Sequence, residues 1–215
     1  MDIRDLYALR IRTPRLELRL GSHDELVELA HLAERGVHPP DRMPFAVAWT
    51  DGIGEPDFVD VFVAHHVEHL DNWSPTDWQL NLLVWANDAL VGTQGIQARD
   101  FGSRRCVATG SWLGREHQGR GIGTEMRAAV LELAFVGLGA VEAESSWLEG
   151  NAASKRVSEK LGYVEHTLGE KSPRGVPVVE HGVAIRSAAW RSPVSVTFAG
   201  LEPCLELLGA EQVSR

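Results

Sequence analysis

The sequence predicts a mixed α/β fold: a central mixed, mostly antiparallel twisted sheet of about six to seven strands flanked by about four helices. Three observations predict it. Period-two alternation of polar and apolar residues recurs in several short segments, as in half-buried strands. Other segments carry apolar residues at helical spacing. The stretch from Val107 to Leu138, VATGSWLGREHQGRGIGTEMRAAVLELAFVGL, runs from an apolar strand through a glycine-rich turn into an amphipathic helix. A further alternating segment follows it, so the two strands of this unit should be parallel neighbours.

Arg15 to Leu20 alternates polar and apolar, with Pro14 setting its entry. Ser22 can cap a first helix of about ten residues, with Glu25 completing a capping box and Leu26, Leu29, Ala30 and Ala33 as its apolar stripe. Gly36 to Thr50 is Pro-rich and irregular, yet Met43, Phe45 and Trp49 favour burial over disorder. Glu55 to Trp73 reads as a second helix with Phe58, Val61, Phe62, His65 and His69 near one face. His65 and His69 have the i, i+4 spacing of a metal-binding pair, but His66 stands where the zinc-protease pattern has Glu, and no metal is expected.

Gln79–Trp85 and Leu90–Ala98 read as strands joined through Asn87-Asp88-Ala89, and Ala108–Leu113 makes a third consecutive antiparallel strand. The helix after the glycine-rich turn carries Ile122, Met126, Ala129, Val130 and Leu133 inward and ends at Gly137 and Gly139. Val141 to Trp147 puts Val141, Ala143, Ser145 and Trp147 on one face. Asn151 caps a last helix with Ala153, Val157 and Leu161 inward and Gly162 as its stop. Val164–Glu170 and Val176–Arg186 close the sheet around the turn Ser172-Pro173-Arg174-Gly175. Residues 1–188 are read as one domain and 189–215 as an extension packed on it or at a dimer interface, with Val194-Ser195-Val196 as a short strand-like run.

Acidic residues outnumber Lys plus Arg by 30 to 21, a formal charge of −9 that argues against nucleic acid or an anionic membrane as partner. Arg115, Arg120, Arg127, Lys155 and Arg156 nonetheless fall near the glycine-rich turn, a local basic setting for a small phosphorylated ligand. Two cysteines, Cys106 and Cys204, make no disulfide framework. Asp2, Arg4, Asp5 and Arg10 interrupt the apolar core a signal peptide needs, and no apolar run approaches the length of a membrane span. A cytoplasmic protein is expected.

The turn Gln118-Gly119-Arg120-Gly121-Ile122-Gly123 places three glycines at alternate positions before the helix that begins near Thr124. Glycine adopts left-handed backbone angles cheaply, so successive N–H groups can point into one concavity. The helix adds unpaired N–H groups and the positive end of its dipole, which together suit a phosphate or pyrophosphate. A P-loop is excluded because no Lys lies near the turn. A dinucleotide fingerprint is excluded because Thr124 stands where its third glycine belongs.

On these residues the stretch resembles the central motif of the GNAT superfamily, the acyl-CoA-dependent N-acyltransferases, whose pattern [QR]-x-x-G-x-[GA] after a strand is matched by Gln118, Gly121 and Gly123. The later run NAASKRVSEKLGY resembles that superfamily's N-x-x-[SA]…LG[FY], matched by Asn151, Ser154, Leu161, Gly162 and Tyr163. The resemblance covers roughly Arg12 to Arg186. It is nearest to the Rim-like branch, which acetylates ribosomal-protein N-termini, through the run from Thr13 to Arg19 and through Ser111-Trp112-Leu113-Gly114. Asp41 to Phe45 with Trp49-Thr50 also resembles a subgroup described as using succinyl-CoA.

The resemblance implies a GNAT fold, acetyl-CoA or succinyl-CoA as acyl donor without a metal, and direct attack of a primary amine on the thioester in a ternary complex. The implied acceptor is a protein N-terminus, a lysine or a small amine, and the implied assembly is a homodimer. Carried over residue by residue, the donor site comprises Trp112, Leu113, Gln118, Gly119, Arg120, Gly121, Ile122, Gly123, Thr124, Asn151 and Ser154. The Leu113 N–H is the implied oxyanion donor, and Met43, Phe45 and Trp49 are the implied acceptor contacts. The chain departs from the pattern at the acid and the base. Ser158 stands where many relatives have a Tyr that protonates the leaving thiolate, which leaves the hydroxyls of Ser154 and Ser158 for that role. Ala108 and Thr109 stand where some relatives have a Glu, which leaves Glu142 or Glu144 acting through water, or water alone. These departures keep a second class open, a catalytically silent CoA-binding module used for sensing.

Overall fold

The structure is a computed structural model that describes residues 2–210. Nine strands form a single sheet in the order β7-β8-β6-β5-β4-β3-β2-β1-β9. They are β1 Arg10–Arg12, β2 Leu16–Arg19, β3 Asp77–Ala86, β4 Ala89–Arg99, β5 Cys106–Leu113, β6 Glu142–Leu148, β7 Val164–Lys171, β8 Val178–Arg186 and β9 Thr197–Ala199. Every neighbouring pair is antiparallel except β5 and β6, which are parallel across the helix α4 (Ile122–Glu132). The mixed α/β class and the strand–helix–strand unit are as expected; the sheet is wider than the six to seven strands the alternation marks. The two additions, β1 and β9, have three residues each, too few to show a period.

Helices α1 (His23–Glu34) and α2 (Phe58–Asp71) cover one face of the sheet. Their core joins Leu26, Leu29, Phe58, Phe62 and Val63 to Leu83 and Leu90 of the sheet. α4 and α5 (Ala152–Lys160) cover the other face, where Ile122, Met126, Ala129 and Val130 meet Leu80, Leu82, Ile96 and Val107. A one-turn helix, α3 (Phe101–Arg104), links β4 to β5, with Phe101 fully buried. No helix among the described residues is long and apolar enough to cross a membrane.

α1 begins as its sequence dictates. The Ser22 hydroxyl accepts from Glu25 N–H at 3.3 Å and the Glu25 carboxylate accepts from Ser22 N–H at 2.8 Å. The β3–β4 connection is tighter than expected, because Asn87 and Asp88 both take left-handed angles and Ala89 already pairs with Ala86. Two helix faces differ from the reading by spacing. In α2 the inward residues are Phe58, Phe62, Val63 and His66, while Val61 is 59% exposed. In α5 Ser158 is buried and Ala153 is exposed. Both inversions follow from what each helix lies against, which a period alone does not reveal.

The described part of the C-terminal extension completes the sheet and the core. β9 pairs with β1, so the strand-like run lies a few residues beyond Val194-Ser195-Val196. Trp190 donates its indole N–H to Glu132 at 2.7 Å. The indoles of Trp73 and Trp78 donate to the carbonyls of Leu207 and Leu208 at 2.9 and 3.0 Å. Residues 211–215 of the extension lie outside the described residues.

One irregularity matters for the site. The β3–β4 register slips between Val84 and Trp85, which leaves Val91 as the extra residue of a β-bulge. The Val91 carbonyl then accepts from Gly114 N–H at 3.0 Å, just past the end of β5. Gly92 is next to the bulge, and a Cβ there would lie 2.2 Å from the Trp112 carbonyl oxygen. Gly92→Ala is expected to destabilise the chain by about 1–3 kcal/mol, read as a lower urea midpoint with an unchanged slope.

Candidate active site

The site is built around a split in the sheet. β5 and β6 pair over three rungs only, Cys106 with Glu142, Val107 with Ala143 and Ala108 with Glu144. Side chains close the split at its base. Thr109 Oγ donates to the Glu144 carbonyl at 3.2 Å, Ser145 Oγ donates to the Thr109 carbonyl at 2.9 Å, and the buried Tyr163 hydroxyl sits 3.4 Å from Thr109 Oγ. Beyond that point β5 has no strand partner on its β6 side. Because Gly114 N–H points to β4, strand alternation turns the N–H groups of Ser111 and Leu113 the other way, into the gap. The Leu113 carbonyl on the same side is held by the Gln118 amide at 2.8 Å.

The glycine-rich turn lies at the open end of the split. Gly119 and Gly121 take φ of 74° and 80°, angles that L side chains rarely adopt. Gly121 is the N-cap of α4 and no side chain caps the helix, so its first-turn N–H groups face outward; Glu125 N–H is the first to reach a carbonyl, that of Gly121 at 3.1 Å. Gly123 lets α4 approach closely, with Val157 and Leu113 at 3.7 and 3.8 Å from where its Cβ would be. Gln118 works as a clip whose amide donates to the carbonyls of both Val37 and Leu113. Beside the turn, a cavity of about 360 Å³ is lined by Arg35, Gly36 and Arg115 among others.

Arg15 belongs to this end of the site, and the spacing of the sequence gives no sign of it. Its guanidinium donates to the Arg120 carbonyl at 3.2 Å and to the Glu125 carboxylate at 2.6 Å. Thr13 Oγ donates to the other Glu125 oxygen at 2.6 Å. Glu125 is 5% exposed, so it anchors Thr13 and Arg15 from beneath the turn. The only signal for this in the sequence is the Thr13-Pro14-Arg15-Leu16 run, which carried the family resemblance without a physical reason.

On the α4 and α5 face the expected basic cluster is partly dismantled. Arg127 is turned inward and is 4% exposed. It donates through Nη1 to Ser158 Oγ and through Nη2 to Ser111 Oγ, both at 3.3 Å, and its buried Nε has no partner among the described residues. No carboxylate pairs with it among the described residues, and burial pulls its pKa below the usual guanidinium range. Lys155 lies 5.3 Å from the ring centre of Trp147 and pairs with Glu159. Asn151 caps α5 by accepting from Ser154 N–H at 3.1 Å, and its amide donates to the Pro44 carbonyl at 3.4 Å. Ser158, 2% exposed, faces the gap side of α5, and Ser154 is half-buried in its first turn.

The α1 and α2 face offers a cavity of about 650 Å³ lined by His65, His69, Cys106, Ala108 and Glu144 among others. Glu144 thus sits at the last paired rung with its carboxylate on this face. Cys106 Sγ and carboxylate oxygens of Glu142 and Glu144 lie within 4.8 Å of one another. Burial and these two carboxylates push the Cys106 thiol up to about 11, so it is a protonated thiol at neutral pH and no ready metal ligand or nucleophile. Burial and the neighbouring His65 lower the His69 pKa.

Phe45 and Trp49 stand apart from this cavity. Trp49 packs on Phe45, Phe62 and Trp112 at 5.3, 5.8 and 5.5 Å between ring centres, toward the other end of β5. Trp112 is four residues from Ala108, roughly 13 Å along a strand. Met43 Sδ lies 3.9 Å from Thr50 Oγ, in the loop that carries this aromatic wall.

A family model described as "Acetyltransferase (GNAT) domain" matches residues 15–164, well over half of the chain. The Bacillus subtilis (strain 168) protein named "Probable N-acetyltransferase YjcK" is 27% identical over 96 residues, 45% of this chain; the match spans about half, 53%, of that relative's length. Among solved structures, Mycobacterium smegmatis RimJ in complex with CoA-disulfide superposes with a TM-score of 0.66 at 16% identity, over 96% of this chain and 98% of that one. RimL, an alpha-N-protein acetyltransferase of a ribosomal protein in complex with coenzyme A, gives a TM-score of 0.62 at 14% identity, over 81% and 95%. At these identities the two structures share the fold.

The far wall of the gap carries a pH-sensitive contact. His181 stacks on Trp147 at 3.7 Å and is held by the carboxylates of Glu149 and Glu165, each at 2.6 Å. Partial burial lowers its pKa, but the two carboxylate bonds outweigh it and the net shift is upward. A raised folded-state pKa means that the contribution is complete below the ordinary imidazole value of about 6.5 and is lost as pH rises through the raised value. The melting temperature of the wild type minus that of His181→Gln is therefore expected to be larger near pH 6 than near pH 8.5, and equal differences would contradict the assignment.

Proposed function

The chain belongs to the acetyltransferase (GNAT) family, and from that premise we propose that it transfers an acetyl group from acetyl-CoA to the α-amine of a polypeptide, in one ternary complex. The observation that carries this reading is the unpaired β5 edge from Ser111 to Leu113, continuous with an uncapped α4 N-terminus. A pantetheine arm carries amide groups that such an edge can pair with, and a pyrophosphate suits a helix N-terminus flanked by glycines. The donor site is then Trp112, Leu113, the turn Gln118–Thr124, Asn151 and Ser154, with Gln118 acting through its clip rather than by contact. The exposed Arg120 supplies positive charge beside the turn, while Arg15, paired with Glu125, braces its backbone. The N–H groups of Ser111 and Leu113 are both turned to meet a thioester oxyanion.

The acceptor amine occupies the cavity on the α1 and α2 face, with Met43, Phe45 and Trp49 as an apolar wall at the other end of β5. Glu144, at the base of the split, takes the proton from the attacking amine through a water. An α-amine titrates near ~8 and is partly neutral at pH 7, whereas a lysine amine near ~10.4 is almost wholly charged, so a single carboxylate base suits the former. The likeness to RimL, described as an alpha-N-protein acetyltransferase, supports the same acceptor class, though not its identity. Residues 1–188 form the transferase unit with 189–215 as its extension, and the working assembly is a cytoplasmic homodimer.

The departure at Ser158 favours one second reading, a CoA-binding module without turnover. Thermal-shift titration with CoA, acetyl-CoA and succinyl-CoA is expected to show a rise with acetyl-CoA. At 100 times the dissociation constant the stabilisation is ~2.7 kcal/mol, roughly 5–10 °C for a chain of this size. A larger rise with succinyl-CoA would name that donor instead, and no rise would remove the donor site. Turnover with a peptide N-terminus separates the enzyme from the silent module. Glu144→Gln is expected to lower kcat by about 10²–10⁴ while leaving acetyl-CoA binding unchanged; unchanged kcat would assign the proton to water alone.

A further inference from the structure

Ser111, Arg127 and Ser158 form a cluster with more donors than acceptors among the described residues. Arg127 carries a positive charge, is 4% exposed and has no carboxylate partner among the described residues. Its Nε–H is buried without an acceptor among the described residues. Both serine oxygens already accept from the guanidinium, so each hydroxyl hydrogen is directed elsewhere. A buried cation ringed by donors is complementary to an anion or a strong acceptor. The cluster bridges β5 to α5 across the α4 face of the split, whereas Glu144 opens onto the opposite face.

We infer that Arg127, through Ser158 and Ser111, stabilises the thiolate of departing coenzyme A and so replaces the side-chain acid that this chain lacks. The inference rests on the reading that the thioester lies in the split. The amine nitrogen forms its bond to the thioester carbon from the Glu144 face, and the carbonyl π electrons move onto oxygen. They return as the carbon–sulfur bond breaks, and that electron pair leaves on sulfur. The ammonium proton passes through water to Glu144. The sulfur accepts hydrogen bonds from the two serine hydroxyls beside the Arg127 charge and takes a proton from solvent on release. No acid of matched pKa is needed, because the leaving group departs as a stabilised anion. Arg127 acts as a positioning and charge-supplying residue, and Ser158 and Ser111 are the groups in contact with sulfur.

The test uses coenzyme A alone, so it needs no acceptor. The ionisation of the bound thiol is followed by thiolate absorbance against pH, with the desulfo-CoA complex as blank. Cys106 and Cys204 are both pushed up to about 11 and do not titrate in the working range. In the wild type the bound thiol is expected to ionise about one to three pH units below the value measured for free coenzyme A in the same buffer. In Arg127→Met it should return to the free value or above, and Arg127→Lys should restore part of the shift. A wild-type thiol titrating at or above the free value overturns the inference, as does equal behaviour of wild type and Arg127→Met. If Arg127→Met does not fold, the wild-type value and Arg127→Lys decide. Failure of coenzyme A to bind the wild type would instead overturn the donor-site reading beneath it, so the two failures are distinct.

Discussion

Everything at the site depends on β5 and β6 pairing for three rungs and then separating. A parallel pair that continued would satisfy every backbone group and leave nothing to bind. By stopping at Ala108 and Glu144, the sheet keeps backbone donors at Ser111 and Leu113 inside an otherwise close-packed layer. The split also opens onto both faces of the sheet. One face carries Glu144 and the cavity beside α2, and the other carries Arg127 and the serines of β5 and α5. An acyl transfer needs a proton removed on one side of the carbonyl and a leaving group received on the other, and in the proposed reaction Glu144 serves the first need and the Arg127 cluster the second.

The separation is held open by specific contacts. At its base, Thr109, Ser145 and Tyr163 replace backbone rungs with side-chain hydrogen bonds. At its rim, the Val91 bulge holds the end of β5 toward β4, a placement that only Gly92 permits. The ties on the irregular loop before α2 include Gln118 to the Val37 carbonyl, Asn151 to the Pro44 carbonyl at 3.4 Å, and Arg174 to Asp51 at 2.9 Å and to the Pro40 carbonyl at 3.0 Å. Two of these ties come from Gln118 and Asn151, so side chains assigned to the proposed CoA seat also fix this loop. Arg127 is the costly part. Burying an unpaired guanidinium costs several kcal/mol even after relaxation, a penalty that stability alone gives no reason to retain.

Much of the frame was legible because it is local. The Ser22–Glu25 capping box, the glycines of the turn and the Asn151 cap are each set by neighbours within a few residues, and each appears where its spacing put it. What stayed hidden was set by distant packing. Arg127 reads as one more basic residue near an anion site, and only the approach of α4 to β5 and α5 turns it inward. Glu144 alternates as a solvent-facing residue would, and becomes a cavity wall because α2 stands above it. Thr13, Arg15 and Glu125 are about 110 positions apart, and nothing in either segment names the other. The three-residue strands β1 and β9 have no period to detect and exist because each pairs with something already formed.

The most direct measurement of the central claim is amide hydrogen exchange of the whole chain, with and without saturating acetyl-CoA. If the split is the donor seat, exchange slows at Ser111 and Leu113 and at Ile122 to Thr124, the amides that have no strand or helix partner among the described residues of the free chain, while the β7–β8 hairpin is unchanged. Binding of acetyl-CoA that leaves these amides exchanging at their free rates, or protects a different face, would contradict the account.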